Sequence, residues 1–157
     1  MIKSRIRFGE PYISNSDNCT GAKLIKQGHT ELVKINSAAG LLLYPYTDQV
    51  LTRNDTTFAV ENGLDLVDAP WETLTDIKNN LCSNYPNIVV RALPKHLIAL
   101  NKYYRECNPL YFTSKNRFST MEALIIALCI LEDMEKAELI ASMNNMEYVI
   151  EQFKKLY

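Results

Sequence analysis

Asp68 and Trp71 are the residues of this chain whose types and spacing are best suited to chemistry. They close the stretch Gly-Leu-Asp-Leu-Val-Asp-Ala-Pro-Trp at 63–71. Leu64, Leu66 and Val67 form a short apolar run. Pro70 cannot donate a ladder hydrogen bond, so a strand should end before it. Asp68 then stands where a strand opens into a loop, and Trp71, the one tryptophan, follows three residues on. In open α/β sheets, ligands settle beyond the carboxyl ends of strands. A carboxylate there is a polar handle or a base, and an indole is an aromatic wall. The same residues also suit a plain structural use, with Trp71 anchoring the core and Asp68 capping the next helix. The stretch alone leaves both uses open.

Two further groups invite a chemical reading. Cys19-Thr20-Gly21 precedes Lys23, Leu24 and Ile25, which begin a helical pattern. Backbone N–H groups at a helix start attract carboxylates and phosphates. Lys3, Arg5 and Arg7 alternate with Ile2, Ser4, Ile6 and Phe8. That period of two predicts a strand with one apolar and one basic face. The basic face is either a phosphate-contacting stripe or an edge guarded by charge.

Other chemistries lack their signatures. The five glycines, at 9, 21, 28, 40 and 63, form no Gly-x-Gly, so a Rossmann fingerprint is missing. No Gly-x-Ser-x-Gly elbow occurs. Cys19, Cys82, Cys107 and Cys129 are widely spaced, and only His29 and His96 could join them. A metal site is not expected, and the cysteines read as buried or half-buried free thiols.

The chain has 157 residues, 47% hydrophobic and 22% charged, the range of a globular protein of one domain or two small lobes sharing a core. The longest apolar run, 123–131, is far short of the ~20 residues that span a bilayer. The first eight residues lack the apolar core of a signal peptide, so the expected location is the cytoplasm. Net charge is −1 but uneven. Residues 1–53 carry seven Lys/Arg against four Asp/Glu, and residues 121–157 carry three against seven. Positive potential therefore gathers at the N-terminal end.

The positioning elements follow from periodicity and punctuation. After the first strand and the helix near residue 23, Leu41-Leu-Leu-Tyr-Pro predicts a short buried strand stopped by Pro45. Thr52-Arg-Asn-Asp caps a short helix. The strand ending at Asp68 leads into a helix over 71–81, and Ile88-Val-Val-Arg-Ala-Leu is another strand, ended by Pro94. Short apolar strands, most followed by a helix, predict a largely parallel sheet. Beyond Pro94 the pattern is helical. Residues 101–118 are irregular and tyrosine-rich, residues 120–131 are apolar nearly all round and predict a buried helix, and helices are expected over 135–143 and 148–157. Ser119 or Thr120 is the natural cap of the buried helix.

The loops after these strands, taken in order, resemble the ribosomal-RNA aminocarboxypropyltransferases, a family that modifies a pseudouridine in small-subunit ribosomal RNA. The resemblance rests on Cys19-Thr20-Gly21, Leu43-Tyr44-Pro45, Val67-Asp68 with Trp71, Arg91-Ala-Leu-Pro94, and Asn108-Pro109 followed by Met121-Glu-Ala-Leu124. The chain departs from the family's pattern in Asp17 and Asn18, where basic residues are usual, in Ala69-Pro70 in place of Cys-Ser, and in Tyr44.

The resemblance implies an α/β fold: a SPOUT-like sheet with a trefoil knot in a two-lobed chain, with an α/β lobe over 1–94 and a helical lobe over 95–157 that completes the cofactor site. It implies S-adenosylmethionine as cofactor, small-subunit ribosomal RNA or a pre-ribosomal particle as partner, no membrane, no metal, and a monomer. By motif, the adenine slot would be Leu43, Pro45, Trp71, Leu93, Phe118 and Ala123. The ribose would meet backbone near Val67, and the amino-acid carboxylate would meet Thr20 and Thr120. A methyl group walled in by Trp71 and Leu74 would leave the aminocarboxypropyl carbon open to attack by N3 of the uracil ring, because displacement needs an in-line approach. Asp68 would serve as base or orienting group, and Lys3, Arg5, Arg7 and Lys23 would meet RNA. The alternatives are a SPOUT-like RNA methyltransferase and a non-catalytic RNA-binding protein of ribosome biogenesis.

Overall fold

The alternating N-terminal stretch forms strand β1 (Ser4–Phe8). In chain order there follow α1 (Thr20–Lys26), β2 (Glu31–Leu32), β3 (Leu41–Leu43), α2 (Thr56–Asn62), β4 (Leu64–Asp68), α3 (Leu74–Asn84), β5 (Val89–Arg91), α4 (Thr120–Ile130), α5 (Met134–Met143) and α6 (Glu147–Leu156). Single 3-10 turns at Arg53–Asp55 and Trp71–Thr73 lead into α2 and α3. The structure is a computed structural model that describes residues 1–8, 20–69, 71–97 and 118–157, without the side chain of Trp71. Cys19, Pro70, Cys107 and the tyrosine-rich stretch 101–117 lie outside the described residues.

All five strands are parallel, in the order β2-β1-β4-β3-β5. The parallel sheet was legible in the pattern of apolar runs. The two-residue β2 was not, because both its residues are exposed and no apolar run announces it. β1 lies inside the sheet, between β2 and β4, so its basic residues form no solvated stripe. Arg7 is fully buried. Its Nη2 donates to Asp65 Oδ1 at 2.6 Å and its Nη1 to the Ser37 carbonyl at 2.7 Å. Arg5 donates to Asp65 Oδ2 at 2.7 Å and to the Asn62 carbonyl at 2.6 Å. The Gly40 N–H completes the set on Asp65 at 2.8 Å. The expectation that Arg5 and Arg7 face RNA is corrected accordingly, because alternation cannot distinguish a basic face met by water from one met by a buried carboxylate.

The other face of these strands carries Ile6, Leu41, Leu64 and Leu66, which share one core with Leu124, Ile125 and Leu128 of α4, Ile140 of α5 and Val149 of α6. α4 is buried on nearly every side, as its composition predicts. Each such aliphatic side chain taken from water contributes about 1.5–3 kcal/mol. Lys136 of α5 is buried against the strand start, donating from Nζ to the Ile2 carbonyl at 2.6 Å and to Ser4 Oγ at 2.9 Å. α3 covers the opposite face, where the Tyr44 hydroxyl shares a 2.9 Å hydrogen bond with Thr75 Oγ1.

The SPOUT-like sheet with a trefoil knot is therefore replaced by a simpler description. The described residues show a five-stranded parallel sheet with helices on both faces, and no knot is shown among them. The physical reason for the mismatch is plain. Periodicity encodes which face of an element is buried, not how the chain threads, and the knot entered through resemblance alone.

Candidate functional site

The sheet order fixes where a crevice opens. The chain leaving β1 passes through α1 to β2 on one side, and the chain leaving β4 passes through α3 to β5 on the other. β1 and β4 are neighbours, so their carboxyl ends are a topological switch point, the place where ligands bind in such sheets. Register pairs Phe8 with Asp68 there and Arg7 with Val67. Leu43 closes β3 opposite Arg91 of β5, and Leu93 follows two residues beyond on the same edge.

Helix starts converge on this point from both ends of the chain. Thr20 is the first residue of α1 and Thr120 the first of α4. The Thr120 hydroxyl donates to Asp68 Oδ2 at 3.1 Å, and the Met121 N–H donates to Thr20 Oγ1 at 3.3 Å. Ser119 sets the position of α4 through a capping box: its hydroxyl accepts from Glu122 N at 3.2 Å and its own N–H donates to Glu122 Oε1 at 2.8 Å. Gly21 packs directly on the carboxylate. A Cβ placed there would lie 2.5 Å from Asp68 Oδ2 and 3.2 Å from Phe8 Cε1.

Apolar residues at this edge are half-buried rather than sealed. Leu43, Leu93, Phe118 and Ala123 pack against the core yet keep part of their surface open, and Val67 is likewise half-buried. Leu74, at the start of α3, is buried, whereas Pro45 is exposed and so stands outside the packed part of this edge. Trp71 opens the turn that joins β4 to α3, and its side chain lies outside the described residues. Lys23 is exposed on α1, one turn from Thr20. Lys3 is exposed near the opposite end of β1, paired with Glu31 at 3.2 Å.

Reading the sequence placed Gly21 in a motif and Phe8 on a strand, but brought neither of them to Asp68. A glycine inside a helical pattern costs about 1 kcal/mol against alanine, and that cost was the available sign of a close approach. Of the thiols, Cys129 is buried in α4, and desolvation pushes its pKa up to about 12, which leaves it inert as a nucleophile. Among the described residues no cluster of His, Cys, Asp or Glu could hold a metal ion, and no helix is long and apolar enough to cross a membrane.

The family model for a ribosome biogenesis protein, C-terminal, matches residues 41–156. The chain belongs to this family. Members of known name resemble it along most of its length. A 16S rRNA aminocarboxypropyltransferase of Saccharolobus islandicus (strain M.16.27) is 30% identical over 120 residues, covering 76% of this chain and 63% of the relative. The protein of the same name from Sulfurisphaera tokodaii is 30% identical over 124 residues, covering 79% and 66%. The chain thus spans slightly less than two thirds of the length of these curated relatives. Among solved structures, the SAM-dependent rRNA:acp-transferase Tsr3 from Vulcanisaeta distributa superimposes with a TM-score of 0.75 at 23% identity, covering 99% of this chain and 80% of that one. That likeness establishes a shared α/β fold.

Proposed function

We propose that this chain transfers the 3-amino-3-carboxypropyl group of S-adenosylmethionine to small-subunit ribosomal RNA in the cytoplasm, with N3 of a pseudouridine or methylpseudouridine as acceptor. The observation that carries the reading is the convergence of Asp68, Thr20 and Thr120 at the switch point, in a chain whose relatives are named for this reaction.

The residues present fit the cofactor. The half-open apolar edge of Leu43, Leu93, Phe118 and Ala123 suits a purine. The Thr20 hydroxyl at the start of α1 suits the charged amino-acid arm, and the backbone at Val67 suits the ribose. The cofactor, when bound, supplies an electrophilic carbon on a sulfonium. The chain's own part is to bind and orient. Leu74, buried at the start of α3, would close off the methyl group, the apolar edge would exclude water, and Asp68 would hold the acceptor base or take its ring proton. Lys23 lies on the exposed side of α1 near this edge and is the lysine of the proposed set best placed to meet a phosphate.

Label transfer tests the reading. Incubated with small-subunit RNA lacking the modification, the protein should pass label from the carboxyl carbon of S-adenosylmethionine to RNA and leave methyl label behind. Methyl label in the RNA would make the protein a methyltransferase. RNA and cofactor both bound with neither label moved would make it a non-catalytic binding protein.

A further inference from the structure

The geometry points to Thr120 and Gly21 as positioning residues for Asp68, so that the orientation of this carboxylate is set by the docking of the C-terminal helices. The inference rests on the proposed role of Asp68 in the transfer, and it gives Thr120 a different task from contact with the cofactor carboxylate.

Asp68 is the last residue of β4, in register with Phe8 of β1. Two features at its carboxylate come from helix starts. The first is the Thr120 hydroxyl, 3.1 Å from Oδ2, a charge-assisted donor of the stronger kind. The second is the missing side chain of Gly21. At 2.5 Å from Oδ2, a Cβ would be closer than packed atoms approach, so only glycine leaves room for the carboxylate in this place.

Thr120 is itself held. The capping box at Ser119 fixes the first turn of α4, and the Met121 N–H reaches across to Thr20 on α1. One turn of α4 thus donates to the end of β4 and to the start of α1. These partners come from segments more than fifty residues away in either case. A helix that shifts at this turn disturbs its contacts with Asp68 and with Thr20 together.

The test uses Thr120→Val, which keeps the shape and loses the donor, with Thr120→Ser as rescue and Gly21→Ala as a steric counterpart. S-adenosylmethionine affinity is read by calorimetry, transfer by single turnover at saturating cofactor, and the state of the carboxylate by the NMR signal of the Asp68 carboxyl carbon. With Thr120→Val, affinity should stay within about threefold, the transfer step should slow about tenfold or more, and the Asp68 signal should move. Thr120→Ser should restore both, and Gly21→Ala should reproduce the loss in a protein that melts cooperatively. If Thr120→Val instead weakens the cofactor about tenfold and leaves the saturated rate intact, Thr120 is a cofactor contact and the inference is overturned. An unmoved Asp68 signal also overturns it. A wild-type protein that transfers nothing would count against the transferase reading alone, since the NMR signal still decides whether Thr120 holds Asp68.

Discussion

β4 carries two carboxylates three residues apart, and their surroundings have little in common. Asp65 is fully buried in the middle of the strand, with Arg5, Arg7 and the Gly40 N–H on its two oxygens. Asp68 is half-buried at the strand's end, against a threonine hydroxyl and a glycine. The first is surrounded by groups that belong to β1 and to the segment before β3, so its charge is spent on tying the sheet together. The second lies where the sheet ends and the crevice begins. Position along one strand therefore separates a carboxylate buried among cations from one at the strand's end, where the proposed site lies.

The largest effect should come from breaking the first. Asp65→Ala leaves two guanidinium groups in the interior without their carboxylate, one of them fully buried, and removing one side of a buried ion pair costs about 3–5 kcal/mol. Denaturant unfolding is the measurement. A loss under about 1 kcal/mol would mean that water reaches Arg7 and that the buried network does not hold the sheet.

Asp68→Asn should invert the pattern. Asparagine keeps an oxygen for the Thr120 hydroxyl, so unfolding should change by less than about 1 kcal/mol. Transfer should fall about 100-fold, close to 2.7 kcal/mol in the barrier, the lower end of what a positioned base contributes. Full activity in Asp68→Asn would return Asp68 to a capping or packing role.

Lys136 extends the Asp65 side of the contrast. Burial lowers its pKa, with Asp133 and Glu31 opposing that shift, and it donates to the Ile2 carbonyl and Ser4 Oγ. Lys136→Met removes the donor and leaves two buried acceptors, for a loss of about 1–3 kcal/mol read by the same unfolding experiment. Because the site edge lies at the other end of β1, cofactor affinity should not change.

What could be read in the sequence follows the same division. The end of β4 was legible because Pro70 stops a ladder, and the capped, apolar α4 was legible because Ser119, Thr120 and nine apolar residues each obey a local rule. Arg5 and Arg7 were misread because their partner, Asp65, is some sixty residues away and no periodicity links them. The meeting of Thr20 with the start of α4 spans about a hundred residues and was reachable only through resemblance. Gly21 was quoted in a motif, but its contact with Asp68 is a property of packing.

The smallest effect separates the two exposed lysines left once Arg5 and Arg7 are assigned to Asp65. Lys3 sits five residues before Phe8, so at about 3.3 Å per residue it is roughly 16 Å down the strand from the site edge. It also faces Glu31 across an exposed pair, worth about 0–1 kcal/mol. Lys23 is one helical turn from Thr20, on the exposed face of α1. If RNA crosses the carboxyl edge of the sheet, Lys23→Glu should weaken it and lower the slope of log affinity against log salt by about 1, the signature of one lost phosphate contact. Lys3→Glu should leave that slope unchanged, and cofactor affinity should be the same in both variants. Equal losses would mean that RNA reaches along β1 to its amino end. A loss with Lys3→Glu alone would put the RNA on the edge beside β2 and away from Asp68.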